Sequence, residues 1–105
     1  ALRELSKEER DTARKKALAA RIERAELKQS FGAGKTSFAE VLKKADSSEA
    51  VARLKTLELL EALPGIGRVT AGKVLEDLGI SENRRIGGLG VKQRAGLSDY
   101  LASLQ

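Results

Sequence analysis

The residues best placed to do chemistry are glycines. Leu63-Pro64-Gly65-Ile66-Gly67-Arg68-Val69-Thr70-Ala71 sets a Gly-apolar-Gly bend just ahead of an amphipathic stretch, Val69–Leu78, which Gly79 closes. The pattern returns from position 65 to position 88 as Gly88-Leu89-Gly90-Val91-Lys92-Gln93-Arg94, and the two segments align as GIGRVTAGKVLEDL over GLGVKQRAGLSDYL. In such a bend the apolar residue, Ile66 or Leu89, is expected to anchor the turn in the core. The glycines Gly65, Gly67, Gly88 and Gly90 accept unusual φ and leave backbone N–H groups uncovered by a Cβ. Those amides, with the unpaired amides and dipole of the helix that follows, form a seat for an anion. Arg68 and Lys73 flank the first bend, Lys92 and Arg94 the second, and Arg84 and Arg85 precede it; Thr70 and Gln93 supply neutral donors. Leu63–Leu75 and Asn83–Leu97 together hold six basic residues and no acid, the nearby acids being confined to Glu76–Glu82. One Gly-x-Gly before a helix is a weak signal. Two, at tandem spacing and both beside cations, point to a nucleic-acid backbone.

Other chemistries are poorly served. The chain has 0 His and 0 Cys, which removes the commonest general base, the commonest transition-metal ligand, thiolate sites and disulfides. No metal, no cofactor and no catalytic residue is therefore expected. Lys and Arg number 20 against 15 Asp and Glu, a net of +5 that is concentrated at the bends. No apolar run approaches the roughly 20 residues that span a bilayer, and Leu2 to Arg10 is too charged for a signal peptide, so no membrane partner and a cytoplasmic location are expected.

The elements that must position the bends read as helices. Leu (16) and Ala (15) far outnumber Val (5), Ile (4) and Thr (4), favouring an all-α fold with a modest aliphatic core over a sheet. Residues 1–34 read as a long basic helix and 35–105 as a compact helical body, with glycine turns at 63–71 and 84–94. Ser6 with Glu9 forms a capping box at the start of the long helix, and Gly32 and Gly34 suit its end. A second box, Ser37 with Glu40, opens Phe38–Ala45; Asp46, Ser47 and Ser48 break the chain before Glu49–Leu54. Thr56 is expected to cap Leu57–Leu63, whose four leucines are the best core candidates and which Pro64 ends. The last helix runs from the second bend toward Leu104. On the long helix Arg10, Arg14, Arg21, Arg24 and Lys28 fall within an arc of about 80°. A solvated face is the plain explanation of this stripe. The sharper one is a second, weaker nucleic-acid surface on Arg14, Arg21 and Lys28, letting one molecule touch two duplexes.

With the motifs in hand, a resemblance emerges. Residues 63–78 resemble the helix–hairpin–helix module, and 79–104 the helix–two-turns–helix element of formamidopyrimidine-type DNA glycosylases and a small-subunit ribosomal protein. Nearly the whole chain, from Arg21-Ile22-Glu23-Arg24-Ala25-Glu26-Leu27-Lys28 through Leu60-Glu61-Ala62-Leu63-Pro64 to Arg84-Arg85-Ile86-Gly87-Gly88-Leu89-Gly90, is similar to the actinobacterial integration host factor family. That resemblance implies a monomeric nucleoid-associated protein. It would bind double-stranded DNA with little sequence preference, influence DNA topology and assist phage integration beside an integrase. The family often carries a third basic residue where Gly87 stands here, so a DNA-contact role is carried onto Arg84 and Arg85 with one contact fewer.

Two other classes compete. Glycosylases with this element use an amino-terminal proline and adjacent acid, against Ala1-Leu2-Arg3-Glu4 here, and no carboxylate pair stands near the glycine turns; catalysis is not expected. A ribosome-associated RNA-binding role is the stronger alternative, because the same element also reads shaped RNA, which differs from DNA in groove form and in its 2′-hydroxyl.

Overall fold

In a computed structural model, which describes residues 4–104, the fold is all-α. Residues 1–3, including the Ala1-Leu2-Arg3 opening and the start of the expected 1–34 helix, and residue 105 lie outside the described residues. The elements are α1 (Lys7–Gly32), α2 (Phe38–Ser47), α3 (Glu49–Ala52), α4 (Thr56–Glu61), α5 (Arg68–Asp77), a 3-10 turn (Ile86–Gly88) and α6 (Val91–Ser103).

The capping boxes form as expected. The Ser6 hydroxyl accepts from Glu9 N–H at 3.1 Å, and Glu9 returns an acceptor to Ser6 N–H at 3.3 Å. Ser37 and Glu40 repeat the exchange at 3.1 and 3.5 Å. At 1.5 Å per residue the 26 residues of α1 span about 39 Å, against a longest molecular extent of 50 Å. Only Leu27 and Phe31 of this helix are buried. The first turns project from the body, while nearer to it Glu23 accepts from the Ser48 hydroxyl and Arg24 donates to Ala50 C=O.

The core is aliphatic apart from Phe31 and Phe38. Leu57, Leu59 and Leu60 of α4 sit at its centre with Leu54, Leu75, Ile86 and Leu97, while Leu63 is half-buried against them. Thr56 differs from expectation. Lys55 occupies the cap position without a side-chain hydrogen bond; Thr56 is the first helical residue, fully buried, and its hydroxyl has no partner among the described residues. Its backbone is claimed elsewhere: Thr56 N–H donates to Arg84 C=O at 3.0 Å, and Ile86 N–H donates to Leu54 C=O at 2.8 Å. An antiparallel bridge between Lys55 and Arg85 results, the two-rung ladder that fastens the second glycine turn to the α3–α4 connection.

Candidate nucleic-acid interface

The two bends differ in construction. Gly65 has φ +81 and ends the α4 connection with a left-handed step that other residues resist. Gly67 and Gly90 are helix N-caps with ordinary φ of −86 and −75, and Gly88 lies in the 3-10 turn without positive φ. Unusual φ thus accounts for Gly65 alone among the four. Leu89 anchors its turn in the core, whereas Ile66 is only half-buried.

Helix polarity separates α5 and α6 from the rest. The first turns of α1, α2, α3 and α4 each carry an acid: Glu8 and Glu9, Glu40, Glu49 and Glu58. Those of α5 and α6 carry none, and no side-chain oxygen caps their leading amides. The N–H groups of Arg68, Val69 and Thr70, and of Val91, Lys92 and Gln93, precede the first intrahelical bonds, Ala71 N–H to Gly67 C=O and Arg94 N–H to Gly90 C=O, both 2.9 Å. Two positive helix ends therefore stand uncompensated where the sequence places its cations.

Several expected site residues carry internal duties. Gln93 accepts from Gly90 N–H at 2.9 Å and donates to Gly79 C=O at 3.4 Å, so this glutamine and the Gly90 amide are engaged within the turn. The half-buried Arg94 donates from Nε to Leu89 C=O at 3.1 Å, and Arg84 from Nη1 to Gly88 C=O at 3.3 Å. Thr70, Lys73, Lys92 and Arg85 are exposed. Gly87 packs face to face with Ala52: a Cβ there would lie 2.8 Å from Ala52 Cβ and 3.1 Å from its carbonyl oxygen. A basic side chain at 87 would need Ala52 to yield, which gives this position's glycine a packing reason.

Tertiary structure adds charges that spacing did not reveal. Arg68 lines a small cleft of about 140 Å³ with Glu58, Glu61 and Glu82, so the first bend has acids beside it that come from α4 and from the loop after α5. Gly72 keeps room for Glu82, whose Oε1 would be 3.0 Å from a Cβ at that position. A larger open groove of about 790 Å³ runs between α1 and the Lys55–Arg85 bridge. Ala17, Ala20, Arg21, Arg24, Lys28, Arg53, Lys55, Glu58 and Arg85 line it, six cations against one carboxylate. Arg21 and Lys28 thus meet Arg85 in one concavity, while Arg14 lies on the projecting part of α1 outside it. Arg53 and Lys55 were not anticipated as site residues. Both stand apart from the glycine turns in sequence, and only the bridge brings Lys55 beside Arg85. Arg24 donates to Ala50 C=O at 3.4 Å, tying the groove wall to α3.

Comparison with known proteins accords with this geometry. Residues 31–100 match the family model described as S13-like H2TH domain. The Integration host factor of Streptomyces coelicolor is 45% identical over 103 residues, covering 98% of this chain and 96% of that protein. That of Mycobacterium tuberculosis is 44% identical over 103 residues, covering 98% of both. A solved structure of sIHF bound to an 8bp palindromic DNA superposes with a TM-score of 0.79 at 44% identity, covering 82% of this chain and 97% of that one. With identity of this order along almost its entire length and an H2TH body of the same build, the chain belongs to the actinobacterial integration host factor family.

Proposed function

We infer that this protein binds duplex DNA through its phosphate backbone, with little sequence preference, as a nucleoid-associated architectural factor. The carrying observation is the pair of helix starts at α5 and α6, neither with an acid in its own first turn nor a side chain on its first-turn amides, flanked by Arg68, Lys73, Arg84, Arg85, Lys92 and Arg94. Neutral amides bind a phosphate whatever base lies beneath it, and the cations add attraction without base information. The relative solved with DNA supports duplex DNA over RNA as the ligand. On this reading Gly65, Gly67, Gly88 and Gly90 shape the seats, with Thr70 and, on release from its cap, Gln93 as auxiliary donors. The protein works as a monomer in the nucleoid, alters DNA topology, and supports an integrase during phage integration.

Salt dependence tests the reading. Neutralising roughly six phosphates gives a slope of about −5 in log affinity against log salt, on the order of a thousandfold loss between 50 and 200 mM. A slope near −1 contradicts the surface described.

The basic groove gives the same reading a second contact. Arg21 and Lys28 on the α1 wall of the groove, with Arg14 farther out along that helix, offer a second duplex a weaker contact of their own, while Arg85 opposite them serves the first. Reversing Arg14, Arg21 and Lys28 to glutamate is expected to preserve binding to a short duplex while abolishing bridging of two duplexes, read by co-sedimentation. Bridging that survives removes the second surface.

A further inference from the structure

We propose that Val69 and Val91 make this interface select deoxyribose over ribose. The proposal rests on the DNA-backbone reading above and names the contacts that would decide between the two nucleic acids. These valines are the most exposed large apolar side chains among the described residues, at 85% and 86%, whereas the next, Leu18 and Leu104, reach 52%. Both stand in the first turn of a helix just past a Gly-apolar-Gly bend, Val91 as the first residue of α6 and Val69 as the second of α5, one position apart when the bends are aligned.

Folding does not explain them. Neither belongs to the core or packs against it. A β-branched apolar residue is a poor choice for a helix's first turn, where polar and acidic residues are favoured and where α1 to α4 all carry an acid. Each valine instead flanks bare amides suited to a phosphate. The ester oxygens of a phosphate seated there lead directly to sugar carbons, so the methyl groups beside the seat meet the sugar rather than a base. In DNA the C2′ position presents only hydrogens to those methyls. In RNA it presents a hydroxyl that would lose water without gaining a partner, a penalty on the order of tenfold for each unmatched group. Neutral amides and cations attract a DNA or an RNA phosphate alike, and the valines add a discrimination at C2′ to whatever duplex form contributes.

The test compares three duplexes of one sequence: DNA, RNA, and RNA with 2′-fluoro in place of 2′-hydroxyl, which keeps the A-form outline but removes the hydroxyl donor. The wild-type protein is expected to prefer DNA over RNA by at least about tenfold, with the 2′-fluoro duplex recovering most of that deficit. The near-isosteric double variant Val69→Thr, Val91→Thr leaves the core untouched. With its own DNA affinity as the reference, it should narrow the DNA-to-RNA ratio about tenfold. A ratio equal to the wild-type value, or equal binding of RNA and 2′-fluoro-RNA by the wild type, overturns the proposal while leaving steep salt-dependent DNA binding intact. Wild-type protein that fails to bind DNA, or that prefers RNA, overturns the DNA-backbone reading and this inference with it.

Discussion

Replacing Arg84 and Arg85 together with alanine is expected to weaken binding about sixtyfold at 0.1 M salt, by the same factor for every duplex sequence. Each phosphate contact contributes about 0.9 to the salt slope, which is roughly eightfold in affinity between 1 M, where counterion release no longer helps, and 0.1 M. Two such contacts multiply to the figure above and flatten the slope by about 2. The loss is uniform because contacts to phosphate position the protein without reading bases. Folding survives the change. Arg84 and Arg85 enter the ladder with Leu54–Thr56 through their main chains, and the one side-chain bond lost among the described residues, Arg84 to the Gly88 carbonyl, is exposed. Titrations by fluorescence anisotropy at several salt concentrations check both numbers. A loss confined to particular sequences, or an unchanged slope, would show that these guanidinium groups read bases or do not touch the duplex.

Gly32→Ala carries the largest expected effect on stability. An added Cβ would stand 2.3 Å from the carbonyl oxygen of Ala62 and 3.1 Å from its carbonyl carbon. The obstacle is backbone, so no side-chain rotation relieves it, and the end of α1 must part from the end of α4. Alanine does favour a helix over glycine by up to about 1 kcal/mol. Overpacking of this severity costs about 3 kcal/mol, so the collision wins and the net loss is about 2 kcal/mol. For a domain of this size the melting temperature falls by roughly 10 °C. Shortening Ala62 to glycine should not rescue the variant, because the colliding atom remains. Thermal unfolding followed by circular dichroism settles the matter; an unchanged or raised melting temperature would mean that the two helix ends are not so closely apposed.

Local signals in the chain foretold most of the architecture. Ser6/Glu9 and Ser37/Glu40 close their boxes, the leucines of α4 reach the centre, and Gly79 takes a positive φ of 71 at the end of α5. These features depend on neighbours three or four residues away, which a linear reading can see. Thr56 resisted the same logic. Its hydroxyl looked like a cap, yet its main chain pairs with Arg84, 28 positions onward, and a long-range ladder outranks a local preference. The glycines divided likewise: Gly65 needs its φ, whereas Gly32 and Gly87 are explained by Ala62 and Ala52 pressing against them from other elements. Charge was the least legible. The acid-free windows around the bends are real in sequence, but Glu58, Glu61 and Glu82 arrive beside Arg68 from elsewhere. Arg53 and Lys55 likewise join Arg21, Lys28 and Arg85 only through folding.

The short ladder joining Lys55 to Arg85 has a kinetic corollary. Loops that carry ligand-binding cations usually sample many shapes, and encounters made in the wrong one are wasted. Here the arginine-bearing segment is hydrogen-bonded on both sides of Arg85, and the next residue, Ile86, is wholly buried. Association can then proceed at the pace of diffusion steered by long-range attraction, with no waiting step for a rare conformer.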